Sequence, residues 1–273
     1  MAALTALLVV MGDLIAGQSG MYFFFLLAVA MNFVGYWYSD RIAIAMTHSR
    51  PVSENEAPGL YALVRRLTQR AGLPMPKIYI TPSPQPNAFA TGRDPEHASV
   101  AVTEGLLHLL SEEEMAGVLG HELAHVKHRD ILISSLAAVL AGAITMIADA
   151  ARWALMFGGL SRDEDNNNPL AAISSILMLI LAPIAALLIQ MAISRSREFY
   201  ADETGAWIAG APDGLANALL KLERAAQAMP MPVNPAAAHM FIVNPLSGEA
   251  ILSLFSTHPP IQARVERLRR MRI

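Results

Sequence analysis

Four long apolar runs divide this chain, and they constrain its fold more than any other feature. The runs cover residues 2–16, 21–38, 131–148 and 170–193. The last three approach or exceed the roughly 18–20 apolar residues that a helix needs to cross a bilayer, whereas buried helices of soluble proteins rarely need such length. Residues 2–16 are the weakest case. We therefore expect a mainly α-helical membrane protein with four transmembrane helices in contact with the lipid bilayer.

The distribution of positive charge predicts how these helices are oriented. Of the 20 Lys and Arg residues, nine lie in 39–130 and nine in 194–273. Loops rich in Lys and Arg stay in the cytoplasm, and four spans put both basic blocks and both termini there. The expected organisation is two spans in 1–38, a first cytoplasmic part in 39–130, two spans in 131–193 and a second cytoplasmic part in 194–273.

Charge and cysteine content exclude several kinds of site. The net charge of −3 gives no overall basic field, so we expect no nucleic-acid partner. Cysteine is absent, so any metal ion must be held by His and carboxylate side chains. Nothing in the sequence indicates an oligomeric state.

A five-residue motif, His121-Glu122-Leu123-Ala124-His125, lies within the first cytoplasmic part. Residues four apart on an α-helix share a face, so both imidazoles can bind one metal ion. Glu122 lies beside them and can address a water molecule on that ion. This pattern is typical of catalytic zinc sites, in which His121 and His125 are ligands and Glu122 is the general base.

A catalytic zinc ion usually takes three protein ligands, and the second cytoplasmic part offers the third. Glu198 and Asp202 lie four residues apart, shortly after the fourth apolar run. Glu198 is suited to be the third ligand, and Asp202 can orient a ligand histidine through its free ring N–H. His128 lies near the face of His121, either as an alternative ligand or as a supporting group.

Local patterns predict a small sheet beside the helices of the cytoplasmic part. Residues 54–71 have the periodicity of an amphipathic helix, and residues 77–81 and 98–103 resemble strands, with a further strand or loop at 87–92. Ser111 and Glu114 form a capping box at the start of the motif helix. Because no proline occurs between 112 and 157, that helix is expected to continue into the third span.

These motifs resemble the HtpX family of membrane zinc metalloproteases, which are relatives of the CAAX prenyl proteases. The resemblance rests on the His-Glu-x-x-His motif, on the Ser-Arg-x-x-Glu-x-x-Ala-Asp pattern at 194–202 and on the segment 87–90, and it covers nearly the whole chain. It implies a zincin-type α+β protease domain with one Zn²⁺ per chain, bound by His121, His125 and Glu198. It also implies that a strand of Asn87, Ala88, Phe89 and Ala90 pairs with the substrate backbone.

A second implication concerns the C-terminal segment. His258, in a His-Pro-Pro sequence, and Arg264 match residues that face the oxyanion in related prenyl proteases. A His before a helix opened by proline and an Arg on a basic tail remain an alternative explanation.

The expected function is a zinc endopeptidase of the bacterial inner membrane. It would cut misfolded membrane proteins at the cytoplasmic face as part of proteolytic quality control. The alternatives are a prenyl-protein protease of the CAAX type and a non-catalytic, zinc-binding membrane scaffold.

Overall fold

A computed structural model describes residues 2–133, 195–228, 242 and 259–273. The third and fourth predicted spans lie almost wholly outside these residues, and so does His258. The described helices are α1 (Ala2–Trp37), α2 (Ser39–Met46), α3 (Pro58–Ala71), α4 (Glu104–Leu109), α5 (Glu112–Lys127), α6 (Arg195–Ala209), α7 (Pro212–Ala228) and α8 (Ile261–Arg270). The described strands are β1 (Arg50–Pro51), β2 (Lys77–Thr81), β3 (Ala88–Thr91) and β4 (Ser99–Thr103).

Helix α1 folds back on itself at Gly17. This glycine has a φ of +57°, a left-handed conformation that Gly adopts without steric cost. The Asn32 side-chain amide donates to Thr5 Oγ1 over 2.9 Å. In a straight helix these residues, 27 apart, would be about 40 Å from each other. The first 37 residues therefore form two helical arms that pack against each other, and the fold-back lies between the apolar runs at 2–16 and 21–38.

The second arm is apolar and long enough to cross a membrane. In the described part of the chain, residues 17–37 alone meet this requirement of length and composition. Most of the arm is exposed, including large side chains such as Phe23 and Leu26. The predicted total of four spans is not confirmed by these residues.

The strands form a four-stranded mixed sheet in the order β1-β2-β4-β3. Strand β2 pairs in parallel with β4, whereas β1 pairs antiparallel with β2, and β3 antiparallel with β4. The predicted strand at 77–81 is confirmed, the one at 98–103 begins one residue later, and 87–92 contains a true strand. Strand β3 lies at the edge of the described sheet. The expected combination of many helices with a small sheet is therefore correct.

Helix α5 is the centre of the main hydrophobic core. Its N-terminus has the predicted capping box between Ser111 and Glu114. The amphipathic helix predicted at 54–71 is α3, and its apolar residues Leu60, Leu63, Val64, Leu67 and Ala71 are all buried. Helix α5 packs against α3, α6, α7 and β3, so it is covered on nearly every side. This packing explains why four of the five motif residues are buried and why His125 is only partly exposed.

The expectation that α5 continues into the third span is wrong. The helix ends at Lys127, and Arg129 has a φ of +61°. A new helix begins at Asp130. The turn brings the Asp130 carboxylate to 3.2 Å from Nδ1 of His125, a contact that a continuous helix would not allow. Residues five apart on one helix lie about 140° away from each other around its axis.

Helices α5 and α6 cross at two glycines. A Cβ on Gly120 would lie 2.5 Å from the carbonyl oxygen of Gly205, and a Cβ on Gly205 would lie 2.6 Å from the backbone nitrogen of His121. No larger residue fits at either position without moving the backbone. This close approach brings the metal-motif helix within reach of Glu198 and Asp202 on α6.

Candidate metal centre and active site

His121 and His125 face the same side of α5, as their spacing predicts. Their Nε2 atoms are 3.2 Å apart, and their rings meet edge to face. His121 is 1% exposed and Glu122 is 6% exposed, so the motif lies inside the protein.

Glu198 on α6 completes a group of three possible metal ligands. Its Oε2 lies 3.6 Å from His121 Nε2, and its Oε1 lies 3.5 Å from His125 Nε2. Ligand atoms bound tetrahedrally to zinc at normal bond lengths lie roughly 3.3–3.6 Å from one another. All three donor atoms fall within 4.8 Å of one another. Two imidazoles and a carboxylate at these distances fit a zinc ion with a fourth position left for water.

Asp202 lies behind His121. Its Oδ1 is 2.9 Å from Nδ1 of His121, although the two groups are not aligned as a good hydrogen bond. Burial raises the pKa of this carboxyl. The charge and hydrogen bonds of Arg264 have the larger effect in the opposite direction and lower the pKa to about 2. Asp202 is therefore ionised at any working pH, and its charge faces the ligand His121.

Arg264 on α8 is fully buried, and both carboxylate oxygens of Asp202 accept hydrogen bonds from its guanidinium. Its Nε donates to Oδ2 of Asp202 over 2.8 Å, and its Nη2 donates to Oδ1 over 2.7 Å. The same Nη2 lies 4.0 Å from Oε2 of Glu198. Such a bidentate pair fixes both side chains. The predicted oxyanion role of Arg264 is not tested by these contacts, which give it a role in positioning Asp202.

Asp130 is a site residue that the sequence analysis missed. Its Oδ2 contacts Nδ1 of His125, and its Oδ1 lies 3.5 Å from Arg197. Burial lowers the pKa of His125, but Asp130 and Glu198 outweigh this effect and raise it to about 9. The carboxylate after the motif was visible in the sequence, but the unexpected turn at Arg129 decides where it lies.

Glu122 lies beside the ligands and contacts strand β3. Its Oε2 accepts a hydrogen bond from the backbone N–H of Ala90 over 2.8 Å. Burial, assisted by the negative charge of Glu198, raises the pKa of Glu122 to about 7. A carboxyl group with this pKa can both accept and release a proton near neutral pH, as a general base must.

The four residues predicted to bind substrate lie next to this centre. Asn87 exchanges hydrogen bonds with Thr103, so its backbone faces β4. Alternate residues of a strand face opposite edges, and the backbones of Ala88 and Ala90 therefore face away from β4. Ala88 and Phe89 are buried, whereas Ala90 is partly exposed.

A chain of contacts joins the edge strand to the ligands. The Asn87 side-chain oxygen accepts a hydrogen bond from the backbone N–H of Ile242, and the carbonyl of Ile242 accepts one from Arg264 Nη1. Asn87 is thus connected through Ile242 and Arg264 to Asp202.

His128 does not belong to the ligand group of the described residues. Its Nε2 lies 3.4 Å from Thr204 Oγ1, and its ring packs against Tyr200. It therefore contacts α6 beside the centre.

Comparison with known proteins agrees with this geometry. The model of Peptidase family M48 matches residues 54–272, which include every residue of the centre. The chain belongs to Peptidase family M48. It is 62% identical over 273 residues to a protein named Protease HtpX homolog from Pelotomaculum thermopropionicum, a match that covers 100% of this chain and 97% of the relative. A Protease HtpX homolog from Thermococcus kodakarensis is 57% identical over 99% of this chain and 93% of its own length.

A solved structure supports the fold of this M48 peptidase. The crystal structure of S. mikatae Ste24p matches with a TM-score of 0.55 and 18% identity, over 98% of this chain and 62% of that chain. The resemblance to HtpX proteases expected from the sequence is confirmed. The M48 peptidase is a zinc metalloprotease, and its His121, His125 and Glu198 form the group that can hold the ion.

Proposed function

We propose that this M48 peptidase is an integral protein of the bacterial inner membrane that cuts misfolded membrane proteins at the cytoplasmic face. The observation that carries the proposal is the short separation along the sequence between the metal ligands and the long apolar runs. Asp130 contacts His125, and the apolar run at 131–148 begins at the next residue. On α6, Glu198 follows the apolar run at 170–193 by five residues. Substrate segments that emerge from a bilayer would therefore lie close to the metal centre.

The proposed topology has four spans and two cytoplasmic parts. Residues 1–38 and 131–193 supply two spans each, and 39–130 and 194–273 supply the protease domain. The apolar second arm of α1 and the two basic blocks support this arrangement. Both termini are then cytoplasmic.

The side chains are proposed to divide the hydrolysis of a peptide bond among them. His121, His125 and Glu198 hold zinc, which when bound supplies a Lewis acid that acidifies water and polarises the scissile carbonyl. Glu122 takes the proton of the attacking water and passes it to the leaving nitrogen. The edge of β3 at Ala90 pairs with the substrate backbone beside Glu122. His258 and Arg264 are proposed to support the oxyanion, and Arg264 also holds Asp202 against His121.

A substitution of Glu122 tests the chemistry. We expect Glu122→Gln to bind zinc in a 1:1 ratio and to lose about 10²–10⁴-fold in kcat/KM, because the amide cannot accept the proton. Glu113→Gln, on the exposed face of the same helix, is the matched control and should cleave normally. Full cleavage by Glu122→Gln would contradict the assigned role.

A pair of substrates tests the membrane preference. One unfolded cytoplasmic segment is presented to the peptidase in liposomes, either fused to a transmembrane helix or free in solution. The anchored segment should be cut faster. Equal rates for both would rule out the proposed advantage of membrane proximity, whatever the result with Glu122→Gln.

A further inference from the structure

A cavity of about 550 Å³ lies where the end of α1 meets the sheet, away from the metal centre. Its walls come from the C-terminal end of α1, the start of α2, the first residue of β2 and the segment after β3. Cavities of this volume are large enough for small ligands. No residue assigned to the peptidase chemistry lines it.

Three cationic side chains line this cavity. They are Arg41, Lys77 and Arg93. Within the described residues, Arg41 and Lys77 have no carboxylate partner within 4.0 Å, and Arg93 has only a 3.4 Å contact with Asp94. The acidic side chains of the lining are Asp40 and Glu96, so the lining residues include one more cationic than acidic side chain; Asp94, the partner of Arg93, lies outside the lining.

Aromatic rings hold two of these cations in place. The guanidinium of Arg93 lies 4.8 Å from the ring centroid of Trp37, and that of Arg41 lies 5.4 Å from the centroid of Tyr38. Cation–π contacts of this kind orient a guanidinium and leave its N–H groups free to donate. The cavity therefore has oriented donors for an anion.

The position of the cavity indicates the source of that anion. Residues 17–37 are the apolar arm of α1, and the cavity lies at their end. Trp37 and Tyr38 are 46% and 44% exposed. Trp and Tyr at the end of a span lie at the level of the lipid headgroups. A phosphate group of the bilayer would therefore lie at the depth of Arg41 and Arg93.

We propose that this cavity binds the headgroup of an anionic phospholipid with phosphatidylglycerol chemistry. The phosphodiester accepts hydrogen bonds from Arg41, Lys77 and Arg93, and its single negative charge balances the excess cationic side chain of the lining. The glycerol hydroxyls donate to Asp40 and Glu96. A choline headgroup has no N–H or O–H donor for these carboxylates. The headgroups of zwitterionic lipids carry no net charge, so they do not balance the excess of cationic side chains in the lining. The inference rests on the proposed membrane insertion of α1 and does not depend on the peptidase activity.

Lipid binding to the full chain tests this site. The delipidated, zinc-loaded protein in detergent is titrated with phosphatidylglycerol, phosphatidylethanolamine, phosphatidylcholine or inorganic phosphate, and bound molecules are counted by native mass spectrometry. We expect one retained phosphatidylglycerol and at least about tenfold weaker binding of the two other lipids and of free phosphate. The variant Arg41→Gln/Lys77→Gln/Arg93→Gln should bind phosphatidylglycerol about tenfold or more weakly, because three charge-assisted contacts are lost.

The control variant removes the same number of charges elsewhere. Arg65→Gln/Arg66→Gln/Arg224→Gln affects exposed arginines of α3 and α7 and should bind the lipid like the wild type. An equal loss of lipid binding in both variants would overturn the proposed site. Unchanged lipid binding in the cavity variant, at normal zinc content, would also overturn it. Equal affinity for all three lipids would overturn the choice of an anionic headgroup. Recovery of the protein in the soluble fraction without detergent would overturn the membrane location on which the site depends.

Discussion

At the scale of single residues, each ligand histidine has its own carboxylate. Asp202 lies behind His121 and Asp130 behind His125, each at the Nδ1 atom of the ring. A carboxylate at this position fixes the ring orientation and raises the basicity of the ligand nitrogen. The two carboxylates are themselves held by arginines, Arg264 and Arg197. The peptidase thus supports its ligands with two buried or half-buried ion pairs.

Removal of the Asp130 carboxylate tests this support. We expect Asp130→Asn to weaken zinc binding about 10–100-fold, because His125 loses its charged partner while the three ligands remain. Zinc affinity is measured by competition with a chelator. Asp213→Asn, an exposed aspartate at the start of α7, is the control and should keep the wild-type affinity. Equal affinity in Asp130→Asn and the wild type would show that the contact does not position His125.

The raised pKa of His125 predicts how zinc binding depends on pH. With a pKa of about 9, this imidazole is protonated in the metal-free protein at pH 7.5, and a zinc ligand must be neutral. Binding should therefore release close to one proton from His125, and the apparent affinity should rise with pH between 6.5 and 8.5. Calorimetry in two buffers of different ionisation enthalpy measures the protons released. In Asp130→Asn the pKa falls and fewer protons should be released. A pH-independent affinity would contradict the assignment.

At the scale of elements, the crossing of α5 and α6 positions the third ligand. Glu198 and His121 come from helices that meet at Gly120 and Gly205, where a Cβ would collide with backbone atoms. Backbone contacts cannot be relieved by a change of side-chain rotamer. The distance from Glu198 to the two histidines therefore depends on two residues without side chains.

Substitution at this crossing should reduce stability and metal content together. We expect Gly120→Ala or Gly205→Ala to destabilise the protein by about 1–3 kcal/mol, because the helices must move apart. Zinc occupancy should fall in the same variants. Thermal unfolding in detergent and metal analysis provide the two readings. Gly59→Ala, in the first turn of α3 with open space around its Cα, should be neutral or slightly stabilising. Unchanged stability and zinc content in Gly120→Ala would disprove the close contact between α5 and α6.

At the scale of the whole molecule, the metal centre is built from segments far apart in sequence. The motif helix comes from the part of the chain at 39–130, Glu198 and Asp202 from the part at 194–273, and Arg264 from the last described helix. The two parts are separated by the apolar runs of 131–193. In the proposed topology, assembly of the site is coupled to the passage of that region through the membrane.

The natural absence of cysteine allows a direct test of this topology. Asn55→Cys and Asn167→Cys are single-cysteine variants that need no further changes. In intact spheroplasts, a membrane-impermeant maleimide should label position 167 and should label position 55 only after permeabilisation. This is expected because the acidic 158–168 segment is proposed to lie outside and the basic 39–130 block inside. Labelling of position 55 from outside would contradict the four-span arrangement.

Much of the fold and of the site was predictable from local pattern. The capping box of Ser111, the amphipathic face of α3 and the strand at 77–81 depend on neighbouring residues and occur where they were expected. The ligand set followed from the four-residue spacing of His121 and His125 and from the family resemblance. The unexpected turn at Arg129 had no proline or glycine to mark it.

The sequence by itself determined the types of side chain available and their order along each helix, because helical periodicity is a local property. Only the tertiary structure decided that Asp130 serves His125, that Arg264 is bound by Asp202 and that Ala90 contacts Glu122. These contacts join residues across a turn, between α6 and α8 and between β3 and α5. Their distances depend on how the elements pack, above all on the close approach of α5 and α6 at two glycines.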